Sequence, residues 1–304
     1  MISISGLRPI LYLLFLGASW GLYFSLLKIA VLSGISYIGI ATLTTVGVCI
    51  GMILIAVARK RMPRLGRIHI IFYTVCAITG YLMPMILELF VIEHMDAGLL
   101  ALIVSMSPLA TLLFAWLMKT DQVSPRRILG IIIGAIAIFA ILLPDANHSQ
   151  SVSWRWLVLA TLVPVCYALY HNIIARYWPS DSDTYQVAGG EALFASLLMF
   201  SFSLFHWQWE DVASWNEGHS VILFMSVIAL VDIYIYFELI KLKGPIYTSH
   251  ANYFMVISGV FWGVILFAER PSPMMWVSAI MLMASLYLIG DTKMEDGEDS
   301  ALQN

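Results

Sequence analysis

Ten stretches of this chain are each apolar for about the 20 residues that a helix needs to cross the hydrocarbon core of a bilayer, and no other feature restricts the fold as much. They run over residues 9–29, 36–58, 68–90, 97–118, 126–144, 154–175, 185–206, 219–240, 247–268 and 274–290. Lipid offers the backbone no hydrogen-bond partner, and nothing here alternates like a barrel strand, so every stretch is expected to be helical. Composition agrees: 61% of the residues are apolar, 12% are charged and the mean hydropathy is +0.87, far from a soluble globular domain. The first stretch follows Arg8 but continues past the length of a signal-peptide core, through Trp20 to Lys28, with no small-residue cleavage site. It is expected to stay as a permanent helix.

The chain also repeats itself. At a shift of 148, residues 97–143 lie over 245–291 without a gap, so that Ser124-Pro125 falls on Ser272-Pro273 and Asp121 on Glu269. At a shift of 147, Trp20 to Leu27 lies over Tyr167 to Ile174. A repeat of this period proposes two homologous halves, 1–150 and 151–290, followed by an acidic tail, 291–304, read as disordered. Five spans per half is an odd number, so the second half must enter the membrane upside down. The expected fold is therefore all-α, with ten transmembrane helices in two inverted-topology five-helix repeats, a build of secondary transporters whose substrate site lies where the halves meet.

Lysine and arginine set the orientation. With the N-terminus in the cytosol, Arg8, the Arg59 to Arg67 cluster, Lys119, Arg126, Arg127, Arg176, Lys241, Lys243 and Lys293 lie inside, and only Lys28, Arg155 and Arg270 outside. Both termini are then cytosolic and the protein is expected in the inner (plasma) membrane. The same rule explains the basic runs, so no nucleic-acid site is expected. Cys49, Cys76 and Cys166 lie inside apolar stretches without pairing or metal-ligand spacing, and are expected to be inert. No catalytic motif, phosphate loop or metal pattern is present, so neither an enzyme nor a cofactor is expected. Trp207, Trp209 and Trp215 in the longest loop read as interfacial anchors.

Trp20-Gly21 in the first span, Ala97-Gly98-Leu99-Leu100-Ala101-Leu102-Ile103 running to Pro108-Leu109 in the fourth, and Glu269 closing the ninth resemble EamA-type members of the drug/metabolite transporter superfamily. The resemblance covers residues 7–290. It implies a ten-helix transporter of small metabolites, often amino acids or related compounds, commonly moved outward and often coupled to protons. The sequence departs from the family pattern where the acidic residue of the fourth span is displaced to Asp121 and where Val256 replaces a proline. Ser278 and Leu282 also stand over Gly130 and Gly134, the pair expected to give span five a small-residue packing face.

Ionisable groups inside spans are the candidate site residues. Asp232, Glu191, His171 and His250 all lie in the second half toward the cytosolic side, as a titratable cluster lining a cavity or as interhelical hydrogen bonds. Asp232, about 4 Å from the midplane at 1.5 Å per residue, is expected to carry or control a coupling proton. On the outer side of the first half, Lys28 and Glu88 are expected either to pair or to stand apart, with Lys28 reaching the interface. Glu88 shares a helical face with Tyr81. Trp20, Tyr23, Tyr81, Tyr167, Tyr170, Asn252 and Tyr253 complete a candidate aromatic and polar lining, with packing as the alternative for each. Ser105 and Ser107, before Pro108, either line the pathway or satisfy a kink. The expected partners are a small-molecule substrate, membrane lipid and protons. A rival reading is a membrane sensor or accessory subunit that keeps the fold without transport.

Overall fold

The computed structural model describes residues 4–117, 124–142, 152–206 and 215–290. The Lys119–Asp121 turn, Trp207 and Trp209, and the acidic tail lie outside them. The described residues form helices and no strand: α1 (Ile4–Leu32), α2 (Tyr37–Ala58), α3 (Arg67–Ile92), α4 (Ala97–Leu117), α5 (Pro125–Leu142), α6 (Trp154–Tyr177), α7 (Thr184–His206), α8 (Glu217–Ser249), α9 (Ala251–Phe267) and α10 (Pro273–Gly290). Helices α1 to α4 and α6 to α8 each contain a stretch long and apolar enough to cross a membrane, while α9 and residues Pro273–Ile289 of α10 are shorter apolar helices.

The helix starts follow local chemistry. The repeated Ser-Pro is a start signal: Ser272 Oγ accepts from Met275 N (3.1 Å) ahead of α10, and Ser124 Oγ receives a longer contact from Arg127 N (3.4 Å) ahead of α5. Proline follows each serine at the first helical position, where its missing N–H is not needed. Asp183 caps α7 by accepting from Tyr185 N and Gln186 N, and Gln186 Oε1 accepts from Asp183 N in return.

Three departures from the hydropathy pattern matter. Helix α8 continues through Lys241 and Lys243 to Ser249, so the turn to α9 falls at His250 and not over 241–246. The lysines mark the end of the apolar stretch, whereas the helix, which satisfies its own backbone, runs on beyond it. Within α3, Ala77–Leu82 is a π-helical segment. Pro84 carries no N–H for the Gly80 carbonyl four residues back, and the Met83 N–H bonds Ile78 O, one residue further than an α-helix reaches. Helix α4 is broken at Ser105 and Met106, between Ala97–Val104 and Ser107–Leu117.

Packing repeats as the sequence does. Helix α1 packs on α9 and α8, and its counterpart α6 packs on α4 and α3; α2 packs on α7 and α8, and α7 on α2 and α3. Helices α5 and α10 pack on each other, as do α4 and α9. Exchanging the halves leaves these neighbours unchanged. Helices α1 and α9 approach closely: a Cβ on Gly21 would lie 2.1 Å from Ser258 Oγ and 2.5 Å from the Gly259 nitrogen. Ser258 Oγ donates to Gly17 O at 2.6 Å and Trp262 Nε1 to Ala18 O at 3.3 Å. Gly130 is packed against α10 in the same manner, with Ser285 Oγ donating to Gly130 O at 2.6 Å, while Gly134 meets Leu109 of α4 as well as Ser285.

The loops join the halves at both ends. Because α1 and α2 are linked by a short turn, the α1–α2 turn and the α2–α3 turn lie at opposite ends of the bundle. At the first end Asn216 Nδ2 donates to Ser33 O (3.2 Å), and at the other Arg64 meets Asp181 (2.5 Å) and Arg61 meets Asp183 (3.4 Å).

Candidate functional site

Three carboxylates sit between helices well inside their apolar stretches. Glu88, fully buried on α3, accepts from Tyr23 Oη on α1 (2.9 Å) and Tyr167 Oη on α6 (3.1 Å). Glu191, buried on α7, accepts from Tyr170 Oη on α6 (2.9 Å), and its Oε1 has no hydrogen-bond partner. The Cys76 thiol of α3 lies beside it. Asp232, half-buried on α8, accepts from Ser19 Oγ on α1 at 2.6 Å. Each acid is thus held by hydroxyl groups, and no lysine or arginine among the described residues comes within ion-pairing distance of any of the three.

Helix α6 is the shared element. Tyr167 and Tyr170 are three residues apart, so both point to one side of the helix, one toward Glu88 and the other toward Glu191. The π-helical segment of α3 makes room for Tyr170: a Cβ on Gly80 would lie 2.4 Å from its ring, and Tyr81 meets the ring edge-on at 6.5 Å. A widened turn placed against a tyrosine that holds a buried acid has a direct structural use. His171 is exposed, with Nδ1 3.4 Å from Thr111 Oγ1 on α4, and the neighbouring Asn172 donates to Thr111 O at 3.2 Å. Trp20, half-buried, faces Tyr236 of α8 with ring centres 6.2 Å apart.

Other expected site residues lie elsewhere. Lys28 does not pair with Glu88; it donates to Glu269 Oε1 at 2.9 Å and to Met95 O at 3.1 Å, and lies over the Phe267 ring. The Glu269 carboxylate also accepts from Ala97 N (2.8 Å) and Gly98 N (3.2 Å), the first turn of α4. An anion there satisfies open backbone donors and the helix dipole together, which is why Glu269 holds Lys28 and the tyrosines hold Glu88. His250 sits at the α8–α9 turn and not within a span, its ring 5.4 Å from Tyr253, and half-buried Asn252 belongs to the first turn of α9. Ser105, fully buried, donates to Leu102 O (2.7 Å), and Ser107 to Val104 O (2.5 Å), so both hydroxyls close the break in their own helix.

Ser19 is the donor that sequence reasoning left out of the site, while Tyr23 and Tyr167 were expected only as part of an aromatic lining and not as donors to Glu88. Each of the three lies in α1 or α6, the counterpart helices that both reach into the other half.

A helical membrane protein of two exchangeable halves, with acids buried between them, is a defined class. The model of the EamA-like transporter family matches residues 7–143 and again 154–290, and the chain belongs to that family. It is a multi-pass membrane transporter of the drug/metabolite type. No curated protein matches the chain. A solved structure described only as "Crystal structure of protein" is similar in fold, with a TM-score of 0.59 at 15% identity over 91% of this chain and 95% of that one.

Proposed function

We propose that the protein is a secondary transporter that moves a small organic metabolite, an amino acid or related compound, by alternating access, with efflux as its working direction and protons as the coupling ion. Its ten helices act as two inverted five-helix repeats, 1–150 and 151–290, with both termini in the cytosol of a cell whose inner (plasma) membrane they span. The observation that carries this reading is that two carboxylates, one buried and one half-buried, are hydrogen-bonded across the halves: Tyr167 of the second half to Glu88 of the first, and Ser19 of the first to Asp232 of the second. A polar contact buried between two repeats is costly unless it is kept for use, and a carboxyl held only by a hydroxyl is free to take up and release a proton as water reaches it. Asp232 is the coupling group in this scheme, linked through Ser19 to α1, whose Tyr23 holds Glu88, while Glu191 is held by Tyr170 of α6, next to His171.

The test is flux in proteoliposomes. Asp232→Asn keeps size and the bond from Ser19 but removes titration, so it folds, exchanges substrate across the membrane and loses stimulation by an imposed pH gradient. Gradient-driven flux equal to the parent's removes Asp232 from the coupling role and moves the same assay to Glu191. A purified protein that moves no metabolite from a broad panel favours the sensor or accessory-subunit reading.

A further inference from the structure

We infer that the solute bound between the halves carries a net positive charge: an organic cation with an apolar or aromatic body. The inference rests on the transporter reading above and deepens it. Glu88, Glu191 and Asp232 together receive hydrogen bonds from three tyrosines and a serine, and no lysine or arginine among the described residues comes within ion-pairing distance of them. Lys28, with 14% of its side chain exposed, is committed to Glu269 and the Met95 carbonyl. When ionised, these three carboxyls are therefore not balanced by a lysine or arginine among the described residues.

Glu191 supplies the second, independent observation. It is 2% exposed, its Oε2 is held by Tyr170, and beside its Oε1, which makes no full hydrogen bond, stands at most the weak donor of the Cys76 thiol. A buried carboxylate oxygen in that position is expensive to keep unless something else occupies it for part of the working cycle. The rings around the acids fit the same occupant. Tyr23, Tyr167 and Tyr170 spend their hydroxyls on the carboxylates, which sets their rings beside the charge. An aromatic face next to a carboxylate attracts an ammonium from two sides, by the ring quadrupole and by direct charge.

The converse is as specific. An anion needs a receiving donor, and the obvious place, the broken middle of α4, does not provide one. Its second half opens on Ser107 and Pro108, of which proline has no N–H, and Ser107 and Leu109 are buried. On α6 the Tyr167 and Tyr170 hydroxyls are already spent on Glu88 and Glu191, and His171 Nδ1 faces Thr111. A permanent cation is thus preferred to a zwitterion of the same shape, and a zwitterion to an anion.

The experiment uses three solutes that share a phenyl ring: trimethylphenethylammonium, phenylalanine and 3-phenylpropionate, at neutral pH with the purified full chain. Thermal stabilisation in detergent reads binding, and flux in proteoliposomes reads transport. The cation is expected to stabilise the protein with an affinity about tenfold or more above that of phenylalanine, about 1.4 kcal/mol, with no stabilisation by the anion. Glu191→Gln is expected to lower the cation affinity about tenfold, a loss of about 1.4 kcal/mol. If that variant fails to fold, Glu88→Gln is read in its place, with Asp232→Asn as the third. Preference for phenylalanine or the anion, no binding of the cation, or unchanged cation affinity in the folded variants overturns the inference. Cation binding without flux of any solute upholds it and counts against the transporter reading alone.

Discussion

At one end of the bundle Lys28 and Glu269 meet with 14% and 6% of their side chains exposed, whereas at the other Arg64 and Asp181 meet with 51% and 48% exposed. Both pairs tie the first half to the second. The buried pair is fully supplied: the Glu269 oxygens take the Lys28 ammonium and two N–H groups of α4, so the loss of water is offset bond by bond. The exposed pair exchanges one set of solvated charges for another, and water and salt screen it. The comparison teaches that parting the Lys28 end costs more than parting the Arg64 end. In the proposed orientation that makes the extracellular end the tighter closure and the cytosolic end the one that opens first.

The largest effect that would break this contrast comes from Glu269→Ala. It strands Lys28 and uncaps α4, and is expected to cost about 3–5 kcal/mol, the usual penalty for halving a buried pair. It should be seen as a large loss of thermal stability and folded yield in detergent; a variant as stable as the parent would remove the asymmetry between the ends. Gly263→Ala sharpens the same point without touching a charge. A Cβ there would lie 2.1 Å from Glu269 Oε2, so the carboxylate must leave the α4 terminus, at about 1–3 kcal/mol for overpacking. Combining it with Glu269→Ala should add little to Glu269→Ala alone, because the displaced group is already gone.

The smallest effect belongs to the other end. Partial burial pushes the Asp181 carboxyl upward, but the hydrogen bond from His69 and the charges of Arg64 and His69 outweigh it and leave the group below its ordinary value of 3.8. A depressed carboxyl stabilises the fold above its unfolded value and loses that contribution only as the pH falls through its folded value. Asp181→Asn is therefore expected to change thermal stability slightly at neutral pH and low salt, not at all at high salt, and to flatten the acid limb of the stability profile. A loss as large as that of Glu269→Ala would show that the exposed pair is no weaker than the buried one.

How far these features could be read in advance follows from which physics decides them. Span positions are legible because lipid forces every apolar stretch to close its own backbone bonds, and the repeated Ser-Pro is legible because capping is local. The end of α8 was misplaced because Lys241 and Lys243 report where hydrocarbon ends, not where the helix does. The π-helical segment had a local sign, Gly80 four residues before Pro84, but its use appears only once Tyr170 is seen against it. The partner of Lys28 lies 241 residues away. Which hydroxyl meets which acid depends on the rotation of each helix about its own axis, and helices apolar on all sides carry little pattern to fix that rotation. So the acids themselves could be picked from the sequence, while Tyr23, Tyr167 and Ser19 could not be assigned to them.

Alternating access requires the two ends to open in turn, and one pair of distances tests it. Spin labels at Lys60 and Ser180 report the Arg64 end, and labels at Leu32 and Glu217 the Lys28 end, all four sites being exposed, in a background with Cys49, Cys76 and Cys166 replaced by serine. Pulsed electron paramagnetic resonance on the purified protein in nanodiscs compares the parent with Asp232→Asn, which holds the coupling group in its proton-bound form. The two distance distributions are expected to shift in opposite directions, one end widening as the other narrows. Distances that stay fixed at both ends, or that lengthen together, would contradict alternating access by this protein.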